Sequence, residues 1–286
     1  MSRNVYVSGV GMVPFAKPGA SDPYYVMGAR ALRAALEDAG LGYEMVEQAY
    51  VGYVYGDSTA GQRALYEVGM IGIPIVNVNN NCSTGSTALF LARQAVQSGA
   101  VECALALGFE QMQPGALGSV FNDRPTPFEH FDKAADELVQ AKGIPLAIRY
   151  FGGAGLAHMR QYGTKLETLA KIRAKASRHA ANNPLALFKT TVSEEEVMTA
   201  PMIWPGVMTR RRVRIKAQAM TTDTPVTFEA RDMREVVGFS MAKAAARQVY
   251  DNAGVGPQDI DVIELHDCFA QNELITYEAL GLCPEG

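Results

Sequence analysis

The feature that most constrains the fold is one pattern that occurs at two distant places in the chain. Residues 31–51 read ALRAALEDAGLGYEMVEQAYV, and residues 245–265 read AARQVYDNAGVGPQDIDVIEL. Each stretch has an alanine-rich helical pattern, an Ala-Gly pair typical of a helix end, a short polar link, and an acidic residue before an apolar strand pattern. Because matching positions keep a constant offset, we predict an internal duplication in which one structural unit occurs twice.

The order of the predicted elements around the first copy favours an α/β fold. The predicted strands lie at 4–13, 46–56, 71–79 and 101–112, and the predicted helices lie at 26–40 and 83–99. The helical patterns stop at glycines, and the strand patterns are rich in β-branched residues. Alternation of this kind predicts a mostly parallel sheet covered by helices.

The rest of the chain suggests two further segments. Residues 113–208 are punctuated by prolines and contain helical patterns without a strand partner, so we predict a helix-and-loop region that covers the sheet and holds substrate. The last segment has predicted strands at 212–220 and 259–269 and predicted helices at 238–254 and 272–282. We therefore divide the chain into an N-terminal half at 1–112, the covering region at 113–208, and an incomplete C-terminal half at 209–286.

Composition argues against several classes of protein. The net charge is −4 and charged residues make up 20% of the 286 residues, which does not fit a nucleic-acid-binding chain. No apolar run approaches the roughly 20 residues of a membrane-spanning helix. The four cysteines are scattered without a CxxC pair, so we expect free thiols, a reducing cytoplasmic compartment and no metal site. The one basic cluster, residues 209–216, is either a solvated strand edge or a patch for an anionic cofactor.

Cys82 stands out because it follows an apolar run within the polar stretch NNNCSTGS, residues 79–86. It lies between a predicted strand and a predicted helix, where unpaired backbone N–H groups and the helix dipole favour a thiolate. The position therefore predicts a lowered pKa, a nucleophilic thiol and a place for a developing oxyanion. A small buried residue in a tight turn fits the position equally well.

A second group of reactive side chains ends the predicted strand of the second copy. His266 and Cys268 lie two residues apart in the stretch ELHDCF, so in an extended strand they face the same side. There, an imidazole could assist a reacting group while a thiol gives and takes protons beside it. Taken alone, His266 fits a hydrogen-bonded core histidine better.

Together, the stretches NNNCSTGSTAL and ELHDCFAQNELITYEALGLCPEG resemble the thiolase superfamily. Within it they are similar to thiolases of the sterol carrier protein X type, which carry HDCF where other thiolases carry Asn-Glu-Ala-Phe. The resemblance also covers YVGYVYGDSTAGQRALYEVGMIGIPIV, GFEQM, HMRQYGTKLETLAKI and VVGFSMAKAAARQVY, and so runs along most of the chain.

The resemblance implies a thiolase fold, with two pseudo-equivalent βαβαβ halves in five layers and a helical loop domain. It implies an acyltransferase that cleaves a 3-ketoacyl-CoA with coenzyme A, or runs the reverse condensation, as a homodimer with no permanently bound cofactor. Cys82 would hold the acyl group as a thioester, His266 would bind the thioester oxygen of the enolate, and Cys268 would be the acid/base. CoA-binding residues are not identified by the resemblance.

The sequence departs from this family in two places. The family has a later Gly-His-Pro turn whose histidine activates the nucleophile, and none of His130, His158 and His179 lies in such a turn. The family also carries a few dozen more residues around Arg210. These departures leave open a catalytically inactive thiolase-like subunit that binds acyl-CoA or serves as a scaffold.

Two other functions have less support. A thiolase-fold aldolase for sterol side chains would not need a nucleophilic cysteine, so Cys82 argues against it. A dinucleotide-binding loop at GVGM is disfavoured because Pro14 stands where the third glycine belongs.

Overall fold

The computed structural model describes residues 3–114, 121–139, 146–199, 216–266 and 268–286. The chain divides into two units. The first contains residues 3–114 and 216–218, and the second contains the other described residues. The predicted cluster at 209–216 lies outside the described residues except for Lys216. The three-segment division made from sequence stays a prediction.

The first unit is an α/β unit with a parallel sheet. Its elements are α1 (Tyr24–Ala39), β1 (Gln48–Gly52), α2 (Ala60–Tyr66), β2 (Ile75–Val78), α3 (Thr84–Ser98) and β3 (Ala104–Gly108). The strand order is β2-β1-β3, and both neighbours run parallel to β1, with Tyr50 opposite Val76 and Ala106. Each strand is connected to the next through a helix, as parallel pairing requires. The predicted parallel sheet is thus confirmed over these three strands.

Both faces of the central strand are buried. Ala49 and Val51 point into a core that includes Leu32 of α1 and Leu65 of α2. Tyr50, between them, packs with alanines of α3 on the other face. Because helices cover both faces, β1 reads as a continuous apolar run instead of an alternating one.

The second unit is helical in its described residues. Its helices are α4 (Glu129–Val139), α5 (Leu146–Tyr162), α6 (Leu166–Ala181), α7 (Glu194–Thr199), α8 (Val226–Glu229), α9 (Met233–Val236), α10 (Phe239–Ala253) and α11 (Ala270–Ala279). Its core lies where α4, α5, α9 and α11 meet, around residues such as Tyr150, Met233 and Ile275. The helices predicted at 238–254 and 272–282 are confirmed as α10 and α11. In the described ranges of both units, no helix is long and apolar enough to cross a bilayer.

The repeated pattern is confirmed as far as the polar link. Both α1 and α10 end at a left-handed glycine, Gly40 at φ 66° and Gly254 at φ 65°. A single 3₁₀ turn follows each, at Tyr43–Met45 and at Pro257–Asp259. The same local chemistry therefore builds the same helix end twice, since glycine takes the left-handed conformation without a steric penalty.

The copies then diverge, and the buried strand predicted at 259–269 is wrong. The stretch 262–266 has no strand assignment, and Val262 is 81% exposed. The matching residues of the first copy form β1, which has a partner strand on each side. The described residues of the second unit contain no other strand to supply hydrogen bonds, and an unpaired segment cannot form a ladder.

Two further strand predictions also fail where the structure describes them. Residues 4–13 form no strand beyond a single bridge residue at Tyr6. Gly9 and Gly11 lie against the α1 backbone, where an added Cβ would come within 2.4 Å of the Ala35 carbonyl oxygen and 2.2 Å of that of Ala31. The segment packs along a helix and adds no strand to the three-stranded sheet. The described part of the stretch predicted at 212–220, residues 216–220, is likewise not a strand.

Candidate active site

Cys82 lies between β2 and α3, as the sequence predicts, and the residue is exposed. The helix begins at Thr84, two residues later, with Ser83 as its N-cap. Gly52 at the end of β1 lets the start of the helix approach the sheet, because a Cβ there would lie 2.5 Å from Thr84 Cγ2. The thiol is therefore at the carboxyl edge of the parallel sheet, where α/β folds commonly bind ligands.

The amides and hydroxyls around Cys82 hold its turn together. The Asn80 backbone N–H donates to Thr84 Oγ1 at 2.6 Å, and the Asn80 side-chain amide donates to Thr87 Oγ1 at 3.0 Å. Ser83 Oγ donates to the Asn80 carbonyl at 2.7 Å. Asn81 has φ 49°, a left-handed conformation that asparagine tolerates better than most residues. The polar residues of NNNCSTGS thus set the backbone that presents the thiol.

Glu110 is a further member of this site that the sequence did not single out. Its carboxylate accepts the backbone N–H groups of Val54 and Tyr55, both at 2.9 Å, and so closes the turn that follows β1. The same carboxylate acts electrostatically on the Cys82 thiol. Glu110 follows the end of β3 by two residues, and this position at the carboxyl edge of a parallel sheet is the signal that could have identified it.

The lowered pKa expected for Cys82 is wrong. Although the residue as a whole is exposed, loss of water around its thiol raises the pKa, and the Glu110 carboxylate raises it further. A hydrogen bond from the Cys82 backbone N–H acts in the opposite direction without reversing the shift. Desolvation and a nearby negative charge both disfavour a thiolate, and together they exceed the effect of the backbone hydrogen bond.

We expect Glu110→Gln to lower the pKa of Cys82, because it removes one of the two effects that raise it. At a fixed pH below that pKa, alkylation of Cys82 should become faster, by roughly two- to tenfold. Timed iodoacetamide labelling with peptide mapping over a pH series measures this for each thiol separately.

Glu47→Gln is the matched control. The Glu47 carboxylate also accepts hydrogen bonds from two backbone N–H groups, those of Glu102 and Cys103. Burial raises the pKa of the Cys103 thiol, and the Glu47 carboxylate raises it further. Glu47→Gln should speed alkylation of Cys103 and leave Cys82 unchanged. An equal effect of both variants on both thiols would contradict the assignment, since it would indicate general loosening.

His266 and Cys268 lie in the second unit, immediately before α11. His266 is exposed and Cys268 is half-buried, while Asp267 between them lies outside the described residues. The His266 carbonyl accepts a hydrogen bond from the Asn272 side-chain amide on the first turn of α11. The prediction that a strand places both side chains on one face is wrong, because the described residues here form no strand. The pair is held in an irregular segment that leads into a helix.

Two family models match this chain. The model described as "Thiolase, N-terminal domain" matches residues 5–193, and the one described as "Thiolase C-terminal domain-like" matches residues 224–286. The chain belongs to the thiolase family. This thiolase-family chain therefore carries Cys82 within the N-terminal match and both His266 and Cys268 within the C-terminal match.

Two curated relatives are similar over the whole chain. "Sterol carrier protein 2" of Oryctolagus cuniculus is 49% identical over 315 residues, covering 99% of this thiolase-family chain and 57% of the relative. The chain thus spans little more than half of that relative. The 315 aligned positions exceed the 286 residues of the chain, so the relative has residues with no counterpart here. "Benzoylsuccinyl-CoA thiolase subunit BbsB" of Thauera aromatica is 30% identical, covering 100% of the chain and 77% of the relative.

Among solved structures, one named "Ltp2-ChsH2(DUF35) aldolase" is similar in fold. It matches with a TM-score of 0.72 and 20% identity, covering 97% of this chain and 77% of that one. At this identity the likeness shows the fold alone, and structures named as an SCP2-thiolase like protein from Mycobacterium smegmatis and as human mitochondrial 3-ketoacyl-CoA thiolase share that fold with TM-scores of 0.68. Together with the family models, these structures confirm the thiolase-type α/β fold class predicted from the sequence, whereas the described residues of the second unit do not form the second βαβαβ half.

Proposed function

We propose that this protein is a thiolase-type acyltransferase that cleaves 3-ketoacyl-CoA with coenzyme A, or runs the reverse condensation. The observation that carries the proposal is the position of Cys82, an exposed residue between β2 and α3, in a chain of the thiolase family. Because the chain spans 57% of the sterol carrier protein relative, the activity, substrates and partners of the whole protein all belong to this proposal.

In the first half of the proposed reaction, the Cys82 thiolate attacks the keto carbon of the substrate. The bond between that carbon and the α-carbon breaks, and its electron pair stays on the α-carbon as the enolate of an acyl-CoA. A His266 N–H would donate to the thioester oxygen of this enolate, where negative charge develops. The Cys268 thiol then gives its proton to the α-carbon, which leaves a Cys268 thiolate and an acyl thioester on Cys82.

In the second half, the Cys268 thiolate takes the proton of an incoming CoA thiol. The CoA thiolate attacks the acyl thioester, which releases an acyl-CoA and restores the Cys82 thiolate. Atoms and protons balance without an oxidant or a metal ion. CoA is thus a co-substrate that leaves after each turnover.

The raised pKa of Cys82 bears on the first step. A thiol with a raised pKa is mostly protonated at neutral pH, so the attack needs a base that removes its proton. Bound substrate would also change the water around the sulfur, which is the main cause of the shift. We therefore expect the rate of acylation to increase as the pH rises towards the pKa of Cys82.

Trapping of the acyl enzyme tests the proposal. The chain is incubated with acetyl-CoA without free CoA, quenched in acid and measured by intact mass, and the modified peptide is then sequenced. An acetyl group on the peptide that contains Cys82 is the expected result. Acetylation of Cys283, the other exposed thiol, or no adduct over a pH series, would overturn the proposal.

A second candidate is an acyl-CoA-binding or scaffolding subunit without turnover. It is favoured by the raised pKa of Cys82 and by similarity to a protein named as a sterol carrier. Saturable binding of acyl-CoA without an adduct would support it. A thiolase-fold aldolase, the activity named for the structure above, would cleave its substrate with Cys82 replaced by serine.

A homodimer built through the sheet of the first unit is also part of the proposal. Val76 on the edge strand β2 is exposed, and so are Met70 and Ile71 before it. Covering an exposed strand edge and its apolar neighbours favours self-association. Light scattering should give twice the 30.8 kDa mass of one chain, and a folded species at the single-chain mass would contradict the prediction. A cytoplasmic location remains a prediction from composition.

A further inference from the structure

Helix α11, which follows His266 and Cys268, is fastened to α5 by a buried polar pair. His158 Nε2 and Glu278 Oε1 lie 2.6 Å apart, and both residues are almost fully buried, at 1% and 4% exposure. The other imidazole nitrogen, Nδ1, lies 2.8 Å from Thr164 Oγ1. A buried polar pair with both ring nitrogens engaged has few alternative arrangements, so it fixes where α11 lies on α5.

A second polar group fastens α11 to α6. Lys175 Nζ donates to Tyr277 Oη at 2.6 Å and forms an ion pair with Glu273, whose side chain is buried. Tyr277 Oη also donates to the Glu273 carboxylate. The three groups satisfy one another, and leaving the buried carboxylate unpaired would be costly.

A glycine allows the close approach of α5 and α11. A Cβ at Gly155 would lie 2.1 Å from Gln271 Cγ and 2.9 Å from its Cβ. Real Cβ atoms do not approach so closely, so only glycine permits this packing. The first turn of α11 therefore packs directly against the α5 backbone.

Two contacts hold the segment immediately before α11. The Asn272 side-chain amide donates to the His266 carbonyl. The Phe269 ring stacks on Phe151 of α5, with centroids 5.1 Å apart and an interplanar angle of 29°. One contact holds the backbone of His266, and the other holds the residue after Cys268.

We propose that Asn272 is a positioning residue, which holds the His266 carbonyl and thereby the imidazole and the Cys268 thiol in the geometry that proton transfer needs. This inference rests on the proposed function for its catalytic consequence. The buried pairs fix the helix, and the Asn272 amide joins the helix to the backbone of the reacting segment. Small displacements of a catalytic group can lower a rate on the order of 10²-fold, so a single amide can matter without touching substrate.

Asn272→Leu tests the proposal, since it keeps the size of the side chain and removes the donor. Asn182→Leu is the matched control, because the Asn182 amide also donates to a backbone carbonyl, that of Arg178, at an exposed helix end of the same unit. Exchange of the α-protons of acetyl-CoA into deuterated water should fall about 10²-fold in Asn272→Leu alone. Its KM for acetyl-CoA, and acetylation of Cys82, should stay as in the unchanged protein.

Histidine NMR supplies a readout that needs no activity. The chain has four histidines, so their ring Cε1–H signals can be assigned by single substitutions. In Asn272→Leu, the His266 signal should broaden or split because the ring samples several positions, while the His158 signal stays. Asn272→Asp, which has the same shape but no amide donor, should give the same result if the leucine variant folds poorly.

The outcomes separate the two proposals. Loss of proton exchange together with a broadened His266 signal supports the positioning role. Unchanged exchange in both Asn272 variants overturns it, even if the His266 signal moves. If the unchanged protein exchanges no protons at all, the proposed function fails. In that case the NMR signal of His266 is the only test of the positioning role, and a single sharp signal in Asn272→Leu overturns that role.

Discussion

Replacing Cys82 with serine is expected to remove the acyl adduct and to lower acyl transfer from acyl-CoA to CoA on the order of 10⁴-fold or more. A serine hydroxyl keeps the size of the side chain and its place in the turn. Its proton is far harder to remove than that of a thiol, and its ester does not exchange readily with CoA. Intact mass and a coupled assay of CoA consumption measure the two effects.

Cys283→Ser is the control for that experiment. Cys283 is also exposed, and its thiol pKa is also raised, by burial and by the Glu278 carboxylate. It lies after α11 in the second unit, outside the proposed site, so its replacement should leave adduct and turnover unchanged. Equal losses in both variants would assign the effect to folding, and full activity of Cys82→Ser would favour an aldolase-type reaction without a covalent intermediate.

Replacing Cys268 with alanine is expected to separate the two chemical stages. Cys82 should still take an acyl group from acetyl-CoA, since that step needs the nucleophile and an oxyanion site. Exchange of the α-protons should fall by about 10²- to 10⁴-fold, because it needs a base at the α-carbon. Mass spectrometry reports the adduct, and NMR follows deuterium uptake at the acetyl methyl group.

Two further variants sharpen the result for Cys268. His266→Ala should weaken proton exchange by about 10²-fold or more if its N–H stabilises the enolate oxygen. Cys103→Ala, which removes a half-buried thiol from the first unit, should leave exchange unchanged. Normal exchange in Cys268→Ala would end its assignment as the acid/base and would leave HDCF as a packing feature.

Local sequence chemistry predicted the helix ends well and the strands less well. Gly40, Gly99 and Gly254 each follow a helix in the left-handed conformation, because this depends on the glycine and the turn before it. The strands at 4–13 and 259–269 have suitable residues but no partner in the described structure. A strand exists only through hydrogen bonds to another segment, and the residues of one segment do not report whether that partner is there.

The candidate site shows the same division. The sequence placed Cys82 between a strand and a helix and identified it with His266 and Cys268 through a family resemblance that the family models confirm at the level of the family. The sequence alone did not show whether the pKa of Cys82 is raised or lowered. It depends first on the loss of water around the thiol and then on the Glu110 carboxylate, which is distant in sequence and follows β3, the strand that pairs with β1 on the side opposite β2.

By itself, the sequence determined the repeated helix, glycine and 3₁₀ turn, the place of Cys82 at the end of β2, and membership of the thiolase family. These follow from contacts between near neighbours or from a pattern of residues along the chain. Only the tertiary structure decided that Glu110 opposes the thiolate and that Asn272 holds the His266 carbonyl. It also decided that Gly155 seats α11 on α5. Each of these depends on segments meeting in space, and the free energy of such a contact is set by burial and distance, which a linear sequence does not contain.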